Sequence, residues 1–107
     1  MGLIAVKMGR RTVLLRAEDI DWIEASNRHV RLHVGSEVHV VRGTMKDMER
    51  RLDPSSFVRI HKSVIVNVDR VKELEALSHG EYTVTLRDGK RLRSGRVFGD
   101  RLKALID

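Results

Sequence analysis

The chain has 107 residues, 41% of them hydrophobic and only 4% aromatic, which suits one domain whose modest core is filled by Val, Ile, Leu and Met. Charged residues make up 34%, the formal net charge is +6 and the pI is about 10.3, a balance that fits either a polyanion partner or ordinary solubility charge. The absence of cysteine excludes a disulfide framework and a thiolate zinc site.

The opening MGLIAVKMGRR carries a very short apolar patch with its charges after it, so it does not have the form of a signal peptide. Val6 stands where a myristoylation pattern needs Ser or Thr. No apolar run approaches the roughly 20 residues that span a bilayer. The expected location is therefore cytoplasmic, with no membrane partner.

Along the chain the dominant signal is period-two alternation in short runs. Thr12 to Leu15 is β-branched and apolar, and Ile20, Trp22 and Ile23 follow a polar pair. His29 to Val34 places Val30, Leu32 and Val34 on one face and His29, Arg31 and His33 on the other. Glu37 to Arg42 repeats the alternation, and Gly35-Ser36 between the two runs reads as a two-residue hairpin turn. The period then changes. Met45, Met48 and Leu52 recur at helical spacing, with Thr44 as cap, Asp47 completing a variant capping box and Asp53-Pro54 as the stop.

Strands resume at Phe57 to Ile60, Ser63 to Val66, Val71 to Leu74, Glu81 to Leu86 and Arg91 to Arg93. Ser78-His79-Gly80 and the Asp88-Gly89 pair mark turns. Val97 to Ile106 is helical by pattern, with Leu102, Leu105 and Ile106 as its apolar side. There is no linker and no internal repeat, so residues 1–107 read as one mostly-β domain.

Chemistry-bearing constellations are few. His29 and His33 share a strand face but lie about 13 Å apart, too far for one ion in a straight strand. No carboxylate or thiol completes a ligand set, so no metal is expected, and His33 and His39 read as exposed polar positions. No serine occupies a nucleophile elbow, no phosphate-binding glycine loop is present, and Glu73 and Glu75 read as a solvated face. Neither catalysis nor a cofactor nor a small-molecule substrate is expected.

Three basic groups stand out: Asn27-Arg28-His29 with Arg31; Arg59, His61 and Lys62; and Arg87, Lys90, Arg91, Arg93 and Arg96. Arg and Lys donate to phosphate oxygens and to guanine O6 and N7 in the major groove. Trp22, Phe57, Tyr82 and Phe98 all read as core residues, leaving few aromatics for the stacking that single strands and RNA use. Duplex DNA is thus the better polyanion.

The segments FVRIHKSVIVNVDRVKELE and YTVTLRDGKRLRSGR closely resemble the second half of the LytTR DNA-binding domain, the output module of bacterial LytR/AgrA-like response regulators. IDWIEASNRHVRLHV and TMKDMERRLDPSSF resemble its first half, so the likeness covers roughly residues 3 to 106. It implies about ten short strands in small, mainly antiparallel sheets, with one or two short helices. It implies sequence-specific binding of double-stranded DNA in a two-component system, with loops entering successive major grooves and repeated half-sites as targets. A receiver domain is expected as a partner in a full-length protein.

The likeness assigns base or phosphate contacts to His29, Lys62 and Arg96. It assigns supporting contacts to Asn27, Arg28, Arg59, His61, Ser63, Arg93 and Ser94. Three positions depart from the pattern: Lys62 where Arg is common, and Val64 and Val97 where an aromatic is common. Lys is a single-point donor, so base preference at Lys62 is open. The rival readings are an RNA-binding module and a protein-interaction domain that has lost DNA binding.

Overall fold

The computed structural model describes residues 2–106. Ten strands form three antiparallel sheets. β1 (Leu3–Met8) and β2 (Arg11–Arg16) make a hairpin. β3 (Trp22–Ser26), β4 (His29–Val34), β5 (Glu37–Arg42), β6 (Phe57–His61) and β7 (Val64–Asn67) form a sheet in the order β5-β4-β3-β7-β6. β8 (Val71–Ala76), β9 (Tyr82–Leu86) and β10 (Arg91–Arg93) form the third sheet, in the order β10-β9-β8. Helix α1 (Met45–Arg51) follows β5, and α2 (Gly99–Ile106) ends the described chain.

The five-stranded sheet is the middle layer, and strand alternation shows why. Ile23, Val30, Leu32 and Ile65 point to one face, where they meet Ile4 and Val6 of the hairpin and Met45 and Met48 of α1. Trp22, Ile60 and Val66 point to the other, against Val84 and Leu86 of the third sheet and Leu102 of α2. Central strands β3 and β7 are thus covered on both sides, which explains consecutive apolar residues such as Trp22-Ile23 and Ile65-Val66. Burying each such Val or Ile side chain contributes about 1.5–3 kcal/mol.

The expected punctuation is present. Gly35 takes a φ of +59° at the β4–β5 turn, and Thr44 and Asp47 form a reciprocal capping box at the start of α1. Other expectations change. β1 is a full strand rather than a short apolar patch: only Ile4 and Val6 face the core, while Leu3 lies outward, so the run shows just two inward residues. The last helix is preceded by a 3-10 turn at Arg96–Phe98, and of its three apolar residues only Leu102 is buried, while Leu105 and Ile106 are exposed. His33 and His39 are not exposed. Their side chains keep 18% and 16% of their accessibility, because His33 stacks on Trp22 with ring centroids 4.0 Å apart and each imidazole meets a glutamate. Among the described residues no helix is long and apolar enough to cross a membrane.

Candidate nucleic-acid interface

One end of the middle sheet gathers three short connections. The β3–β4 turn is Asn27-Arg28, since Ser26 pairs with His29. Asn27 adopts a φ of +58°, a left-handed conformation that Asn tolerates better than most residues. The β6–β7 turn is Lys62-Ser63, and the Ser63 carbonyl accepts from Ala25 N–H at 2.9 Å, which holds it beside the end of β3. The third segment, Ser94-Gly95-Arg96, docks on β6: Gly95 N–H donates to the Ile60 carbonyl at 2.7 Å. A Cβ added at Gly95 would lie 3.3 Å from His61 Cδ2, so glycine permits this close approach. Arg28, His29, Lys62 and Arg96 are all exposed along this end.

The Lys62 turn is held from several sides. A register shift between Arg59 and His61 marks a bulge in β6, a device that re-aims a strand where pairing ends. Ser63 N–H donates to His61 Nδ1 at 3.1 Å. Arg59 donates through Nη1 to Glu49 Oε1 of α1 at 3.1 Å and through Nη2 to the Lys62 carbonyl at 2.6 Å. Its guanidinium carbon lies 5.6 Å from the centre of the Phe98 ring. Arg59 is therefore mostly covered and committed to internal partners, while the Lys62 side chain is exposed.

Ser94 is only 2% exposed, and its hydroxyl accepts from Tyr82 N–H at 2.9 Å while its own N–H donates to the Tyr82 carbonyl. The Ser94 hydroxyl, expected as a supporting DNA contact, is thus covered rather than presented to solvent. The hydroxyl is turned into the fold, where it fixes the chain just before Gly95 and Arg96. Arg93 is exposed but bonded to Glu81 Oε1 at 3.0 Å.

The third basic group is divided by the fold. Arg87 N–H donates to the Arg70 carbonyl and its Nε to the Asp69 carbonyl. Lys90 Nζ stands 5.2 Å from the centre of the Trp22 ring. Trp22 opens β3, whereas the Lys62 turn abuts its other end, about 10–13 Å away along the strand. Arg87 and Lys90 thus belong to the far end. A cleft lined by Arg16, Arg51, Asp53, Asn67 and others also opens there, away from the three turns.

Charge pairing divides the cations in a second way. Arg16, Arg31, Arg59, Arg70, Arg93 and Arg101 each have a carboxylate partner. Among the described residues, no carboxylate pairs with Arg28, His29, Lys62 or Arg96. The three turns thus carry unneutralised donors, which attract an incoming anion; Arg87 and Lys90 at the far end likewise have no carboxylate partner among the described residues, so position rather than pairing sets the turns apart.

Two residues escaped the sequence reading. Arg42 is exposed and directly opposite His29 in the β4–β5 register. The Gly35-Ser36 turn already implied this, because pairing Val34 with Glu37 carries His29 to Arg42. Glu49 had no local signal; its role arises from Arg59, ten residues on, and Arg101, 52 residues on.

Residues 10–107 match the sequence profile of the LytTr DNA-binding domain. The sensory transduction protein LytT of Bacillus subtilis strain 168 is 26% identical over 103 residues, covering 96% of this chain and 43% of LytT. The transcriptional regulatory protein LytR of Staphylococcus aureus strain N315 is 28% identical over 103 residues, covering 96% of this chain and 42% of LytR. The chain therefore spans less than half the length of these relatives. A solved LytTr DNA-binding domain from Bacillus cereus superposes with a TM-score of 0.86 at 18% identity, covering 99% of this chain and 97% of that one. With a profile match over most of its length and the same mostly-β fold, the chain belongs to the LytTR DNA-binding domain family.

Proposed function

We propose that this chain binds double-stranded DNA sequence-specifically as the DNA-reading part of a bacterial transcription regulator. The observation that carries this reading is the collection of Arg28, His29, Lys62 and Arg96 at one end of the middle sheet, exposed and with no carboxylate partner among the described residues. Short turns on a rigid double-covered sheet present these donors, so loops rather than a recognition helix enter the major groove. Repeated half-sites, and a receiver domain in a longer protein, complete the proposal.

Within it, His29, Lys62 and Arg96 reach bases or adjacent phosphates, and Asn27, Arg28 and Ser63 support them. Arg93, paired with Glu81, is a weaker supporting contact. Arg59, His61 and Ser94 act through the backbone they hold. Arg96 is the bidentate candidate, Lys62 a single-point donor. Selection of random duplexes, followed by electrophoretic shifts at fixed salt, tests the reading. Arg96→Ala is expected to lose about 1–3 kcal/mol on the selected site and to relax preference at one base pair. Parent-like binding by both Arg96→Ala and Lys62→Ala would overturn the site assignment. Tighter binding of structured RNA than of any duplex would favour an RNA-binding module instead.

A further inference from the structure

Glu49 lies on α1, outside the three turns, and carries a charge of the wrong sign for a DNA-facing protein. Yet both of its carboxylate oxygens are engaged by arginines that lead to the turns. Oε1 accepts from Arg59 Nη1 at 3.1 Å and Oε2 from Arg101 Nη1 at 3.0 Å. The two guanidinium carbons lie 5.6 Å and 5.1 Å from the centre of the Phe98 ring. Arg59 continues to the Lys62 carbonyl. Phe98 belongs to the 3-10 turn that begins with Arg96, and its N–H donates to the Gly95 carbonyl. One carboxylate therefore ties α1 to the Lys62 turn through Arg59, and to the Arg96 turn through Arg101 and the shared ring.

We propose that Glu49 is a positioning and specificity-determining residue, whose carboxylate sets the placement of Lys62 relative to Arg96. The role rests on the DNA-binding reading. Its physical content is a conflict of sign. If Glu49 acts only through its charge, removing it lowers repulsion of phosphate and tightens binding to every duplex alike. If it positions the two donors, removing it frees Arg59 and lets the Lys62 turn drift, so binding to the preferred sequence weakens even as the protein becomes more basic. Phosphate contacts tolerate that drift better than base contacts do, because they do not depend on one edge geometry.

The test uses a duplex selected by the parent chain and a random-sequence duplex of equal length, at matched salt. Glu49→Gln removes the charge, and Glu49→Asp keeps it but shortens the bridge by one methylene. Both variants are expected to lose about fivefold or more in the ratio of selected to random affinity, on the scale of part of one base contact. Random-duplex affinity is expected to hold or rise in Glu49→Gln and to stay level in Glu49→Asp. Thermal melting confirms that each variant is folded, and should either unfold, the other decides. A ratio unchanged in a folded Glu49 variant, or a parallel rise on both duplexes in Glu49→Gln, would overturn the proposal. A parent chain that prefers no duplex would instead overturn the DNA-binding reading, and this role with it.

Discussion

Arg59 and Lys62, three residues apart, are joined by a hydrogen bond from the Arg59 guanidinium to the Lys62 carbonyl oxygen at 2.6 Å. The more buried cation thus holds the backbone of the exposed one. A charged donor to a carbonyl contributes about 1.5–3 kcal/mol when well covered. Arg59→Lys keeps the charge but loses the planar fork that reaches Glu49 and the carbonyl together. It is expected to weaken selected-duplex binding about five- to tenfold, or about 1–1.4 kcal/mol, with little change in salt dependence. Titration by fluorescence anisotropy at several salt concentrations checks both parts.

Gly95 approaches His61 closely enough that an added Cβ would stand 3.3 Å from its Cδ2. Its φ of −78° is open to any residue, so the constraint is space rather than backbone strain. Gly95→Ala is expected to shift the His61 ring or the Arg96 segment by a few tenths of an ångström and to weaken selected-duplex binding, with a stability change set by how far the His61 ring gives way. Chemical denaturation measures the second quantity and gel shifts the first.

Ser94→Ala separates a buried hydroxyl from a phosphate ligand. Its removal leaves the part-buried Tyr82 N–H without the hydroxyl acceptor, which costs about 1–3 kcal/mol. The melting temperature is expected to fall. The salt slope of DNA binding is expected to remain that of the parent, whereas a slope reduced by about one would mark a lost phosphate contact.

Arg87 and Arg28 are both exposed cations, but they lie at opposite ends of the middle sheet. Arg28→Ala is expected to reduce the salt slope by about one, and Arg87→Ala to leave it unchanged. Equal effects from the two would place DNA along the flank of the molecule rather than at the three turns. The same binding titrations, repeated from low to moderate salt, make the comparison.

Asp53 supplies the pH prediction. Ser55 donates to its carboxylate from the backbone N–H and again from the hydroxyl, holding its pKa below the ordinary value of 3.8. A depressed carboxylate adds stability that is present above its unfolded pKa and is lost as pH falls through the lower folded one. Acid titration of melting temperature should therefore show a decline below about pH 4 that is smaller in Asp53→Asn. An identical acid limb in the two proteins would show that this turn contributes nothing.

Much of the fold was legible because local signals agreed with one another. Alternation marked β4 and β5, Gly35-Ser36 marked their turn, and Thr44 with Asp47 marked the start of α1. β1 was missed because its two inward residues do not make a pattern by themselves. In α2 the periodic run was right, but a helix resting one residue on the core leaves Leu105 and Ile106 in solvent. The candidate site was legible as residue types and not as a surface. The motifs single out Lys62 and Arg96 as candidates, but nothing local shows that Gly95 rests on Ile60 or that Ser94 is buried.

The order of charges and apolar residues by itself determined a basic, mostly-β domain with its donors concentrated near strand ends. That much follows from side-chain periodicity and turn chemistry, which act over two to four neighbouring residues. Only the tertiary structure decided which cations remain available. Arg59 and Arg101 converge on one carboxylate of α1, Arg87 and Lys90 go to the far end of the sheet, and Arg28, Lys62 and Arg96, with no carboxylate partner among the described residues, gather at the three turns. The physical reason is that charge neutralisation depends on approach within a few ångströms, and here the partners come from segments ten to fifty residues apart.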